Sequence, residues 1–168
     1  LYQKMGQALQ ASGRPIVYSL CQYGEAKVWR WGADAGGNLW RVSSDVYDTW
    51  ESIHYIGFGL GELAGFARPG HWNDFDYLMV GLGNLSDDEY RTQMTQWCMH
   101  ASPLITSVDP RRLTALEQSI LLNKELIAVD QDTRGIPARR VAQRGKTEIW
   151  MRPVSGGYAA ALYNLGEA

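Results

Sequence analysis

Two stretches of the chain place carboxylates beside groups that could organise them. Arg41 precedes Asp45 by four residues, and His71-Trp72-Asn73-Asp74-Phe75-Asp76 gathers a histidine, a tryptophan and two aspartates in one run. Paired carboxylates in an aromatic surrounding suit glycoside hydrolysis, where one carboxyl acts as acid/base and a second as nucleophile or base. Plainer roles compete. A helical pattern begins near Val46, so Asp45 could be a helix N-cap, and Asp74 and Asp76 could be turn formers. His71 with Asp74 and Asp76 is a weak donor set for a metal ion, and no metal or other cofactor is expected. Cys21 could be a thiol nucleophile, but none of the three histidines sits in a recognisable partner motif. No Gly-x-Ser-x-Gly elbow is present for a serine nucleophile. On these residues alone glycoside hydrolysis is one reading. A binding or structural role without catalysis is another.

Composition narrows the partners. Sixteen basic and 18 acidic residues give a net charge of −2, without the basic surplus of a nucleic-acid binder. No run of like charge marks an anionic-membrane patch, and no apolar run approaches a bilayer span. With 45% hydrophobic and 20% charged residues, the chain reads as globular. Seven tryptophans and nine tyrosines against three phenylalanines favour amphipathic aromatics, which suit a surface both apolar and hydrogen-bonding, such as a sugar cleft. Cys21 and Cys98 lie far apart without CxxC spacing and are expected to be free. The length of 168 residues is short of the roughly 250 of a complete eight-unit β/α barrel. The first residue is Leu1, as expected of a piece of something longer.

The elements that must position these residues follow from periodicity. Tyr2, Met5 and Leu9 predict a helix over 2–12 that stops at Gly13. Ile16-Val17-Tyr18 is a short apolar run, expected to be a strand buried on both faces. A long loop over 21–37 leads to a strand over 38–42, a helix from Val46, a loop over 65–74 and a third strand over 77–80. Ser86-Asp87-Asp88-Glu89 and Thr114-Ala115-Leu116-Glu117 are capping boxes that open two further helices. The first of those helices should turn Tyr90, Met94, Trp97, Cys98 and Ala101 to one face, with Leu104-Ile105-Thr106 as a strand after it. Alternating strands and helices imply a parallel sheet covered by helices. Beyond about residue 135 the texture changes: 139–145 is polar and basic, and 147–151 and 158–163 predict a hairpin around Ser155-Gly156-Gly157. In parallel α/β folds function gathers at the C-terminal ends of strands. Cys21, Gln22, Tyr23, Arg41, Asp45, the 71–76 run and Asp109 all fall near such ends.

Four segments carry a family resemblance. They are 13–24 (GRPIVYSLCQYG), 38–46 (NLWRVSSDV), 70–78 (GHWNDFDYL), and 101–105 (ASPLI) followed by 127–132 (IAVDQD). In that order and spacing the chain resembles the α-galactosidases and α-N-acetylgalactosaminidases of glycoside hydrolase family 27. The resemblance covers about 1–137. It implies an α/β fold: the second half, strands 5–8, of a (β/α)8 TIM barrel at 1–137, and the start of a truncated antiparallel β-sandwich domain at 138–168.

The resemblance also implies roles. Asp45 matches the acid/base and Arg41 the arginine that contacts it and the sugar. Asp76 matches a carboxylate that binds galactose hydroxyls. Cys21, Gln22 and Tyr23 match the loop facing the sugar's C2 substituent, and Trp72 and Tyr77 join the substrate-binding set. The mechanism implied is retaining, on terminal α-D-galactosyl residues, with no nucleic-acid or membrane partner. The chain departs from the family pattern in several places. The family's nucleophile motif and the double aspartate that grips the sugar belong upstream of Leu1. Cys-Gln-Tyr-Gly stands where many members have Cys-Glu-Trp-Gly, and Phe75 and Tyr77 where many have Pro and Met. The missing N-terminal barrel half is therefore an expected partner, and the chain alone is expected to be inactive. Within the family, β-L-arabinopyranosides or α-N-acetylgalactosaminides are alternative substrates, and members are often secreted, periplasmic or lysosomal.

Overall fold

The computed structural model describes residues 1–166. Its element order is α1 (Tyr2–Ala11), β1 (Ser19–Leu20), β2 (Leu39–Arg41), α2 (Trp50–Gly59), β3 (Trp72–Asp74), α3 (Asp87–His100), α4 (Ala115–Leu121), α5 (Lys124–Asp130), β4 (Arg139–Arg144), β5 (Thr147–Val154) and β6 (Gly157–Asn164). Short 3-10 turns cover Glu25–Arg30, Gly61–Phe66 and Pro110–Arg112.

Strands β1, β2 and β3 form a parallel sheet in that order, with Leu20 opposite Trp40, Trp40 opposite Asn73, and Arg41 opposite Asp74. A parallel bridge from Leu78 to Thr106 carries the pattern onward. Helices α2 and α3 pack on this sheet over a core of Leu20, Trp40, Ile53, Ile56, Phe75, Met94 and Trp97, all essentially buried. Inside that core Trp40 Nε1 donates to Asn73 Oδ1 at 2.8 Å, and Asn73 Nδ2 donates to Leu63 O at 2.8 Å. A polar residue thus sits in the middle of a strand because both ends of its amide are satisfied.

Several expected boundaries move. The first strand forms at Ser19–Leu20, not at 16–18. Ile16 and Val17 are exposed, because β1 is the edge of the sheet and only its β2 side is covered. The third strand is 72–74 rather than 77–80; residues 77–80 contribute only the Leu78 bridge. Apolarity favoured the later run, but ladder pairing with β2 chose the polar one. The segment 104–106 likewise contributes one bridge and the hydrogen bond Leu78 N–Ile105 O at 2.8 Å. Helix α2 starts at Trp50, with Thr49 as its N-cap accepting from Ser52 N, four residues later than periodicity suggested.

The two capping boxes are present at Ser86/Glu89 and Thr114/Glu117. Helix α3 then buries Tyr90, Gln93, Met94, Gln96, Trp97, Cys98, Met99 and His100 on nearly every side. It can do so because it lies between the parallel sheet, α5 and the second sheet.

That second sheet is antiparallel, in the order β4-β5-β6. The β5–β6 hairpin turns at Ser155-Gly156, as expected. Strand β4 comes from the polar, basic 139–144 run, which periodicity did not mark because every residue in it is exposed. Trp150 and Tyr163 meet Phe58 of α2 edge-on, with ring centroids 6.1 and 4.9 Å away. Arg152 of β5 is fully buried and donates to the carbonyls of Cys98, Asp130 and Ile136. The first two stand at the C-terminal ends of α3 and α5, where carbonyls lack helical partners and a cation is favoured. Among the described residues no helix is long and apolar enough to cross a membrane.

Candidate active site

At the C-terminal end of β2, the Arg41 side chain is nearly buried and lies between two carboxylates. Its Nη2 is 3.1 Å from Asp45 Oδ1 and 2.6 Å from Asp76 Oδ2. The two acids differ in setting: Asp76 is 7% exposed in its side chain and Asp45 is 60% exposed. With Thr49 as the cap of α2, Asp45 has no capping duty, so the plainer role considered for it falls away. Its carboxylate is held by Arg41 on one side and open on the other.

Asp76 is held from all directions. Its φ of +74° is left-handed, a conformation that Asp tolerates better than most residues. Its N–H donates to Asp74 Oδ1 at 2.8 Å, and Trp97 Nε1 donates to its carbonyl at 2.8 Å. Its Oδ1 accepts from Tyr77 N at 2.8 Å, and its Oδ2 accepts from Val46 N at 2.9 Å as well as from Arg41. Asp76 therefore ties the residue beside Asp45 to β3. Asp74 is also buried. Burial pushes its carboxyl above the usual range, against the opposing pull of the Asp76 N–H and Arg41. Ser102 Oγ accepts from Phe75 N at 3.0 Å and completes the support of the turn.

The loop after β1 closes over the arginine. Arg41 Cζ lies 5.5 Å from the centre of the Tyr23 ring, within cation–π range. Gly24 makes this approach possible. Its φ is +77°, and a Cβ there would stand 2.2 Å from Val42 O. Gly24 N donates to Arg41 O at 2.9 Å. The Tyr23 hydroxyl is shifted upward by a hydrogen bond with Cys21 and by the nearby Cys21 and Asp45 groups, with Arg41 opposing. Cys21 is exposed, and its carbonyl accepts from Tyr2 OH at 3.3 Å. Gln22 is half-buried between them, its carbonyl accepting from Glu25 N.

Cys21, Tyr23, Arg41, Asp45 and Asp76 thus meet at one rim. Tyr77 is exposed directly after Asp76, its carbonyl accepting from Gln93 Nε2 at 3.1 Å. Trp72 stands apart from this group. It begins β3 opposite Leu39, packs toward Pro69 and Gly135, and lines a cavity of about 340 Å³ with Pro103 and Asp130 at the far end of the strand from Asp74. His71 stacks on Trp40, with Nδ1 2.9 Å from Gly37 O, and so stands apart from Asp74 and Asp76. Asp109 caps its own 3-10 turn and pairs with Arg111, away from the rim. Both cysteines are free. The supports Trp97 and Ser102 carried no signal in the spacing: they stand 21 and 27 residues from the atoms they hold.

With this geometry in view, the relatives are informative. The family model described as alpha galactosidase A, Melibiase_2, matches residues 1–132. The chain is 39% identical to alpha-galactosidase 2 of Arabidopsis thaliana, over 99% of this chain and 42% of that protein. It is 37% identical to alpha-galactosidase A of Cellvibrio japonicus, over 96% of this chain and 42% of the relative. The crystal structure of α-galactosidase I from Mortierella vinacea superposes with a TM-score of 0.94 at 34% identity, over 98% of this chain and 47% of that one. The chain belongs to the α-galactosidase family of glycoside hydrolase family 27. It spans about two-fifths of the length of the curated relatives it matches.

Proposed function

We propose that the chain is part of a retaining α-galactosidase, with 1–137 forming strands 5–8 of its (β/α)8 barrel and 138–168 opening its C-terminal β domain. Three successive parallel pairings, 19–20 with 39–40, 39–41 with 72–74, and the Leu78–Thr106 bridge, support the half-barrel reading, as does the cluster at the C-terminal ends of β1–β3. The observation that carries the function is Arg41 gripping one open and one enclosed carboxylate. Asp45 is the acid/base: exposed, free of structural duty, and oriented by a fixed cation. It gives its proton to the departing glycosidic oxygen and then takes one from the water that hydrolyses the glycosyl-enzyme. Arg41 orients Asp45 and reaches the sugar, and Asp76 keeps Arg41 and the Asp45 loop in place. Oδ1 of Asp76 keeps capacity for one hydroxyl besides the Tyr77 N–H. Cys21, Gln22 and Tyr23 border the C2 side of the sugar, and Tyr77 its outer edge.

A retaining site needs a second carboxyl about 5–5.5 Å from the first. Asp76 is committed to Arg41 and two backbone N–H groups, and Asp74 to the turn. The nucleophile is therefore supplied by the upstream barrel half. Arg41 Nε, buried and without a hydrogen-bond partner among the described residues, agrees with a polar neighbour still to come. The substrate class is α-galactosides, the activity for which the relatives are named.

The test is Asp45→Asn in the enzyme containing both halves. Turnover of an α-galactosyl disaccharide should fall by about 10²–10⁴. An activated aryl galactoside should still form the glycosyl-enzyme, and azide should intercept it as a glycosyl azide. Disaccharide turnover within about threefold of the parent refutes the assignment. Residues 1–168 alone should show no turnover, and an adduct on any of their aspartates after a covalent inactivator overturns the half-barrel reading.

A further inference from the structure

Asp45 is open to solvent, so its aim depends on the loop that carries it, residues 43–49. Besides the Arg41–Asp45 pair itself and the local Tyr47 N–Ser52 Oγ bond, three ties hold this loop. Ser43 O accepts from Arg41 Nη2 at 3.4 Å, and Val46 N donates to Asp76. The third tie involves neither Arg41 nor Asp76. Asp48 Oδ2 accepts from Asn84 N at 2.9 Å, and Asp48 Oδ1 accepts from the Tyr90 hydroxyl at 3.3 Å. The same hydroxyl accepts from Gly83 N at 2.6 Å.

Tyr90 is thus a hub. It stands in the first turn of α3, is 2% exposed, and is anchored by the core around it. Its helix start is fixed by the Ser86/Glu89 capping box. From that rigid base one hydroxyl joins the loop after β2 to the loop at 81–85. Desolvation raises its pKa, so it stays a protonated donor to Asp48. Gly83 donates to it and Asp48 accepts from it, so neither direction competes with the other.

We propose that Tyr90 and Asp48 are positioning residues for Asp45: the Tyr90–Asp48 tie sets the angle at which the acid/base meets the glycosidic oxygen. This rests on the acid/base reading of Asp45. The hydrogen bonds of both side chains run to each other and to the 83–84 backbone, not to the Arg41 cluster. Tyr90→Phe keeps the packed ring and removes the hub. Asp48→Ala removes the loop's side of the tie, while Asp48→Asn leaves a carbonyl oxygen to accept from Asn84 N and an amide N–H to donate to the Tyr90 oxygen, so the link persists with one direction reversed.

A misaimed acid is felt in proportion to how much protonation the leaving group needs. The experiment compares kcat/KM of the two-half enzyme on an α-galactosyl disaccharide and on a dinitrophenyl α-galactoside. For Tyr90→Phe and Asp48→Ala the disaccharide value should fall by roughly ten- to a hundredfold and the aryl value by less than about threefold. Asp48→Asn should restore most of the disaccharide value. Asp45→Asn is run alongside. If it shows no leaving-group dependence, the acid/base reading and this inference fall together. If it shows that dependence while Tyr90→Phe and Asp48→Ala lower both substrates equally, or neither, this inference alone is overturned. Either of these variants suffices should the other fold poorly.

Discussion

Two buried arginines organise the two sheets, and they do it in opposite ways. Arg152 has no exposure, and its Nε, Nη1 and Nη2 each donate to a backbone carbonyl. Arg41 is nearly as buried, but its hydrogen bonds and ion pairs run through Nη2 alone, to two carboxylates and a carbonyl, and Nε has no partner among the described residues. An arginine whose three nitrogens each donate to a carbonyl is a weld: it satisfies helix ends and fixes β5 against α3 and α5. An unsaturated arginine beside an open carboxylate retains capacity for another group. The same side chain is structural in one place and poised for chemistry in the other, and the difference lies in what its neighbours leave unspent.

The contrast breaks first at Arg152. Arg152→Met preserves volume but leaves three carbonyls short of a buried donor, so stability should drop by about 3–5 kcal/mol. Urea unfolding midpoints measure this, and a loss below about 1 kcal/mol rejects the weld. Arg41→Lys sharpens the other side. A point charge cannot span Asp45 and Asp76 as the guanidinium does, so two-half enzyme turnover should fall by about ten- to a hundredfold. Its unfolding midpoint should move far less than that of Arg152→Met.

The weld region also has a pH signature. Burial holds His100 down to about 4, with Gly57 O opposing and Arg152 reinforcing the shift. Its folded value lies below the ordinary one, so its stabilisation is present above about pH 6.5 and is lost as pH falls through 4. Burial raises Asp130 to about 6, against the pull of Gln131 and Arg152. Its folded value lies above the ordinary one, so its contribution is full below about 3.9 and is lost as pH rises through 6. The two nearly offset between pH 4 and 6. Asp130→Asn removes one side of that balance, so its stability relative to the parent should rise by about 1–3 kcal/mol from pH 4.5 to 7.5. Unfolding midpoints at the two pH values test this, and a flat difference contradicts it.

The smallest effect concerns the thiols. Burial pushes Cys98 up to about 12, beside the carbonyl that Arg152 holds, whereas Cys21 is exposed at the rim. One equivalent of a thiol reagent should react with the native chain and two after unfolding. Rapid native labelling of Cys98 would mean that the second sheet is not docked.

Local chemistry settled part of this molecule in advance. The starts of α3 and α4 were legible because a capping box closes within four residues, and the β5–β6 turn because glycines mark it. Arg41 and Asp45 were legible as a pair through the family resemblance of the 38–46 segment, whereas position alone equally suited Asp45 to capping a helix. Tertiary structure decided what depends on partners far along the chain. Apolarity pointed to 77–80 as a strand, but pairing with β2 and the satisfied amide of Asn73 selected 72–74. β4 is a strand because β5 offers it a ladder, although none of its residues is buried. Trp72 went to the far end of its strand, and Asp45 was released from capping because Val46 N and Tyr47 N were taken by Asp76 and Ser52, which delayed α2 to Trp50 with Thr49 as its cap. Tyr90 found Asp48 across 42 residues. Caps and turns close within a few bonds and can be read where they stand, whereas ladders, buried ion pairs and loop ties gain their free energy only once the core has brought distant segments together.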